Sequence, residues 1–261
     1  MSTLLALGAL SALVAACGSD GGGSTSADKA AANAQRPAEH VSLETAPYQA
    51  AKAENAVLYQ AVQEDPETVG AFRDLMSAAA NEIGGFWIRR VPELYGRQYT
   101  PPRFVGGYDP ANGANVTCGG KPNALPGNAF FCPPDNYIAW DEPSFMIPLF
   151  RQSPLAPVFV LAHEWGHSVQ HQLGVRFKHT IDAELDADCL AGAWAVDAAS
   201  RGKLTREDFD RAVEILQAVQ DKDGIPWTDS QAHGTAFERI DAFGHGVDRG
   251  PYACIRRGSA G

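Results

Sequence analysis

Residues 163–167 read His-Glu-Trp-Gly-His. On a helix, His163 and His167 stand one turn apart on one face, so both imidazoles reach a single Zn²⁺. Glu164 lies about 100° round the helix from His163. There it flanks a metal without ligating it, which suits a base acting on a water held by that metal. Trp165, about 200° from His163, is expected to point into the core. Gly166 costs roughly 1 kcal/mol relative to Ala inside a helix, and its expected use is to admit another element close to the site. The preceding run, Pro157 to Ala162, is strongly apolar, which predicts a buried helix rather than a solvated one.

Catalytic zinc takes a third protein ligand and keeps a fourth position open. A metzincin continues with Gly and His at set positions; here Gln170 and Leu173 stand there, which excludes that class. His171 shares the face of His163 but sits ~12 Å along the axis, too far to share its metal. It reads as a solvated or packing histidine, and His179 is an alternative ligand in the connection. The better candidate is Asp182-Ala183-Glu184-Leu185-Asp186-Ala187-Asp188. Glu184 and Asp188 are i and i+4 on a second helix. With one zinc ion as cofactor, Glu184 is read as its third ligand. Asp188 then accepts the free N–H of a ligand imidazole, a bond that sets tautomer and ring orientation.

These residues resemble the two-helix metal motif of the gluzincins, the thermolysin-like clan, and more closely the bacterial putative neutral zinc metallopeptidase family. The resemblance also covers Cys118-Gly119 and Cys132-Pro133 before the motif helix, and Asp188-Cys189-Leu190-Ala191-Gly192 after the acidic cluster. It ends on His233-Gly234-Thr235-Ala236-Phe237-Glu238-Arg239, so it spans roughly residues 85–255. The chain departs from the family pattern at Thr235 and Glu238, where Ser and Gln are expected. The resemblance implies a zincin-like domain and a zinc-dependent endopeptidase. Glu164 serves as general base, and His233 is the first candidate to stabilise the oxyanion, ahead of Tyr137. The run Tyr137 to Trp140 is a candidate edge strand for pairing with extended substrate. Two other functions compete: a non-catalytic surface lipoprotein stabilised by zinc, and a metal-dependent amidase acting on the cell wall.

The elements that must position these residues are legible in outline. Val69, Phe72, Met76, Ala79, Ile83 and Phe86 recur at helical spacing behind an Asp65-Pro66 start signal, and Gly84-Gly85 predicts a bend or break there. Tyr48 to Gln63 is helical in character. Residues 97–115 read as loop, and Tyr137 to Trp140 as a short strand. Helices are expected over 154–173, ended by Gly174, and from a Thr180 cap towards Ser200. Thr205-Arg206-Glu207-Asp208 opens another as a capping-box variant. The pattern is α+β, dominated by helices, with a small β-sheet.

The chain has 261 residues with 21 Lys and Arg against 31 Asp and Glu, a net charge of −10. That balance argues against a nucleic-acid partner, which needs clustered cations. Residues 1–16 carry no side-chain charge and include an apolar stretch, Leu4 to Ala16, of signal-peptide length. Val14-Ala15-Ala16-Cys17 resembles a lipobox, with Cys17 as the lipidated residue. Residues 17–44 follow as a polar tether poor in large apolar residues. The expected arrangement is a catalytic domain over 45–261, outside the cytoplasm, held to a bacterial membrane by an N-terminal lipid (or secreted without it) and acting on peptides or proteins. Removing Cys17 from five cysteines leaves four, which an exported protein uses as disulfides. Of the three connectivities, Cys118 with Cys132 and Cys189 with Cys254 is expected, the first closing a short Gly/Pro-containing loop.

Overall fold

The computed structural model describes residues 69–112, 116–222, 225–229 and 232–255. The leader, Cys17, the tether, the 48–63 helix and the Asp65-Pro66 start signal lie outside the described residues. Helix α1 (Val69–Tyr95) buries Phe72, Met76, Ala79, Ile83 and Phe86, five of the six residues its periodicity selects; Val69, in the first turn, is exposed. It runs through Gly84-Gly85 without a break. Each glycine costs only about 1 kcal/mol in a helix, and Gly84 packs against the Trp165 ring.

Strand β1 (Arg103–Tyr108) lies inside the stretch read as loop. Its Gly106-Gly107 pair conceals it at sequence level, and it exists because it pairs in parallel with β5 (Tyr137–Asp141). After the short hairpin β2 (Thr117–Cys118) and β3 (Lys121–Pro122), strand β4 (Ala129–Cys132) pairs antiparallel with β5. The order β1-β5-β4 makes β5 the central strand, with all five residues buried. The expectation of an edge strand at Tyr137 to Trp140 is therefore corrected: the edge on that side is β4. An apolar run on both faces marks a covered strand, not an edge available to substrate.

A π-helical turn (Glu142–Met146) and α2 (Ile147–Gln152) lead into α3 (Ala156–Leu173), which Gly174 ends at φ 70°. Next comes α4 (Thr180–Ser200). Its cap is His179, in a reciprocal capping box with Asp182, rather than Thr180. Helix α5 (Arg206–Ala218) opens on the expected Thr205/Asp208 box. Helix α6 (Ala236–Arg249) opens on Thr235, whose side chain accepts from the Glu238 N–H while Glu238 reaches back. Thr and Glu thus form the same cap that Ser and Gln form, since the box needs only a hydroxyl and a carbonyl-type acceptor. Helix α7 (Pro251–Ile255) closes the described chain.

The helices cross closely. A Cβ at Gly192 of α4 would collide with the Phe243 carbonyl of α6, and one at Gly246 with the Cys189 carbonyl. The core fills with Trp87, Trp140, Trp165, Phe150 and Leu190 between α1, α3, α4 and the sheet. This is the helix-dominated α+β fold with a small sheet that the sequence predicts. Among the described residues, no helix is long and apolar enough to cross a membrane.

Both expected disulfides form, Cys118–Cys132 across 14 residues and Cys189–Cys254 across 65. A longer closed loop restrains the unfolded chain more. Removing the Cys189–Cys254 bridge by paired Ala substitution is expected to cost about 4 kcal/mol and removing Cys118–Cys132 about 3 kcal/mol. Urea unfolding midpoints of the two variants check the order.

Candidate metal centre

Helix α3 carries His163, Glu164 and His167 on its inner side, all within the wall of one cavity of about 720 Å³. Trp165 points the other way, into the core, at 2% exposure. Gly166 faces α4: a Cβ there would stand 2.9 Å from Ala187 Cα, so its absence lets the acidic helix approach the motif helix. The close approach brings Glu184 to the histidines. His163 Nε2 is 3.1 Å from Glu184 Oε2 and 3.1 Å from His167 Nε2. His167 Nε2 is 3.4 Å from Glu184 Oε1. A tetrahedral zinc ion with ligands at about 2.0–2.1 Å sets its donor atoms roughly 3.3 Å apart, so this donor set has the spacing and chemistry that zinc takes.

The outward ring nitrogens are held in turn. His163 Nδ1 bonds Asp188 Oδ1 at 2.7 Å. Asp188, 1% exposed, also accepts from Arg239 Nε at 2.8 Å and Nη2 at 2.9 Å, and Arg239 Nη1 donates to the Val219 carbonyl. His167 Nδ1 bonds Gln170 Oε1 at 3.0 Å. Each imidazole therefore has its Nδ1–H occupied and its Nε2 turned inward, the arrangement that orients a ligating histidine.

Glu164 is nearly buried, and its Oε2 accepts the Phe131 N–H of β4 at 2.8 Å. His233 lines the same cavity from the connection between α5 and α6. Its Nδ1 lies 3.3 Å from Asp221 Oδ1, and Asp221 Oδ2 accepts the backbone N–H groups of His233 and Gly234 at 2.8 Å each. The His233 side chain stays 52% exposed. Tyr137 is spent elsewhere: its hydroxyl donates to the Thr117 carbonyl. His171 is exposed, with its ring edge against Phe131, and His179 is a cap; neither joins the donor cluster.

Four contributors were not legible as such in the sequence. Gln170 sits three residues after His167 on the same helix face, a spacing that could have suggested it. Arg239 and Asp221 depend on how α6 and its leading loop return to the site. The Phe131 N–H is a backbone group and carries no residue signature at all.

The electrostatics favour a cation at the cluster. Burial by itself lowers the His163 pKa, but the charge and hydrogen bond of Asp188, joined by Glu184, outweigh it and raise it to about 10. Burial would raise the Glu184 carboxyl; the charges and hydrogen bonds of the two histidines instead hold it well below its ordinary range. Zinc must then displace a proton from His163 at neutral pH. Zinc affinity is expected to rise as pH increases from 6 to 8, by about tenfold per pH unit for each proton displaced. Chelator competition at several pH values measures it; a flat profile would show that the imidazole enters the site already neutral.

A family model described as putative neutral zinc metallopeptidase matches residues 40–256, and the chain belongs to that family. The zinc in that description agrees with the donor set of His163, His167 and Glu184. The relatives include the uncharacterized protein YpfJ of Escherichia coli strain K12, 29% identical over 187 residues, covering 62% of this chain and 63% of the relative. Another is the uncharacterized protein Rv2575 of Mycobacterium tuberculosis strain H37Rv, 30% identical over 162 residues, covering 56% and 50%. The chain thus spans less than two thirds of the length of these relatives. No solved structure matches it.

Proposed function

We propose that the protein is a zinc-dependent endopeptidase in which His163, His167 and Glu184 hold one ion and Glu164 is the general base. The observation that carries the reading is the convergence of three donor atoms on the wall of an open cavity with a nearly buried glutamate beside them. Zinc bound there would lower the pKa of its water towards ~7 and polarise the scissile carbonyl. The chain supplies the rest. Phe131 N–H fixes one oxygen of Glu164 and leaves the other to take a proton from the attacking water and pass it to the leaving amine. Asp221 orients the His233 ring through Nδ1, so that Nε2 would donate to the oxyanion when the ring carries both hydrogens.

The peptide backbone has a natural partner in β4, which has no strand on its outer side among the described residues. Asp141 N–H bonds the Asn128 carbonyl on the inner side, whereas Phe131 N–H points outward to Glu164. Alternation along the strand turns the Ala129 backbone outward as well, where an extended substrate can pair with it. A purely structural zinc site would not need a base or a cavity of this size, so the non-catalytic alternative is disfavoured. The two disulfides support a location outside the cytoplasm. Lipid anchoring through Cys17 remains part of the proposal on the strength of its sequence context.

The test is hydrolysis of a peptide library, and of peptidoglycan, by purified protein before and after chelation and zinc return. Chelator-sensitive, zinc-restored peptide cleavage is the expected result. Cleavage of peptidoglycan alone would move the activity to a cell-wall amide, and no zinc-dependent cleavage of either would sink the catalytic reading. His233→Ala is expected to lower kcat by about 10²–10³-fold with zinc content unchanged. An unaltered kcat would remove His233 from the chemistry.

A further inference from the structure

Gln170 is 5% exposed, lies outside the donor cluster, and makes three side-chain hydrogen bonds there. Its Nε2 reaches the Ala183 carbonyl at 2.7 Å and Asp186 Oδ2 at 3.0 Å, both on α4. Two oxygen acceptors require the amide NH₂ on that side, so Oε1 faces the His167 ring. An oxygen there accepts only from an Nδ1 that carries hydrogen, and this leaves the Nε2 lone pair turned towards Glu184. The same side chain thus selects the His167 tautomer and grips the carbonyl of the residue directly before Glu184.

We infer that Gln170 is a positioning residue that sets His167 and Glu184 in register as metal ligands from two different helices. The inference rests on the zinc reading above. The partners of the two imidazoles are unlike. His163 leans on a carboxylate, Asp188, whose charge Arg239 balances, and His167 leans on a neutral amide. A carboxylate at 170 would offer no hydrogen to Ala183 or Asp186 and would face the Asp186 charge. Glutamate therefore cannot replace this glutamine, despite the near-identical shape.

The experiment measures zinc affinity by chelator competition, and the absorption spectrum of the cobalt-substituted protein, for the wild type, Gln170→Ala and Gln172→Ala. Gln172 is the matched control. It also bridges α3 to another segment, through two hydrogen bonds to Thr100 N and Thr100 O, and makes a third to Ser168 Oγ on its own helix, but none touches a ligand. Gln170→Ala is expected to bind zinc about 10–100-fold more weakly with an altered cobalt spectrum, and Gln172→Ala to match the wild type in both. Equal zinc affinity and cobalt spectra in wild type and Gln170→Ala would overturn the inference, as would equal losses in the two variants. If Gln170→Ala does not fold, Gln170→Glu carries the same test: a comparable loss supports the role and wild-type affinity overturns it. A wild-type protein that takes up no zinc overturns the zinc reading itself, a result distinct from either variant outcome.

Discussion

Glu164→Gln is expected to retain zinc and to lose peptide hydrolysis by about 10²–10⁴-fold, the contribution of a positioned general base. The amide keeps the shape of the carboxylate, and its oxygen can still accept the Phe131 N–H that now holds Oε2. The protein should therefore fold, keep the His163–His167–Glu184 geometry and bind metal as before. Only the capacity to take a proton is removed. The fall should appear in kcat with little change in KM, because Glu164 acts on the water rather than on the substrate's binding groups. Zinc content and casein or peptide hydrolysis measured on one preparation decide it. Unchanged hydrolysis with full zinc would exclude Glu164 as the base, and joint loss of zinc and activity would make it a ligand instead.

Removing a proposed ligand should act differently. Glu184→Ala takes away the only carboxylate among the described residues that reaches both His163 Nε2 and His167 Nε2. Zinc affinity is expected to fall by more than the 10–100-fold that losing an outer partner costs, and activity to fall with it. The variant also leaves the two imidazoles facing each other at 3.1 Å without the carboxylate that reaches both, so His167, which has no Asp188 of its own, should become easier to deprotonate. Metal content after dialysis is the direct readout. Full zinc retention would transfer the ligand role to another group on the cavity wall, with Asp188 the nearest carboxylate by chain position. Asp188 is nevertheless committed to His163 Nδ1 and to Arg239, on the far side of the ring from the donor cluster.

The pair of variants separates two meanings of a carboxylate at the site. One loses turnover and keeps metal; the other loses metal first. Asp188 and Gln170 define a third meaning, in which a side chain touches neither metal nor substrate and acts through the imidazole it holds. Their placement explains why α3 and α4 must pack closely, and why a glycine stands at 166: any larger residue would separate the two helices that carry His163, His167 and Glu184.

Much of the site was legible in the sequence because it is local. The i, i+4 spacing of His163 and His167, and of Glu184 and Asp188, needs only helical geometry to put each pair on one face. The caps at Gly174 and Thr205, the burial of Trp165 and the core stripe of α1 follow from the same short-range rules. The strands were the weaker reading. Strand β1 is hidden by glycines and stabilised by a parallel partner about 30 residues away. The place of β5 at the centre of the sheet could not be told from its apolar run alone.

What the amino-acid sequence determined by itself is the inventory: two histidines and two carboxylates at ligand spacing on two helices, a glutamate beside them, and cysteines suited to bridges. Helix periodicity and ligand chemistry suffice for that. Tertiary structure alone decided which imidazole Asp188 meets, and set Glu184 within reach of both Nε2 atoms. It also decided that β4, not β5, borders the cavity, and that Arg239 and Gln170 lock the two rings. These are contacts between residues far apart in the chain or on different helices, set by how closely glycine lets the elements approach, and no local pattern encodes that distance.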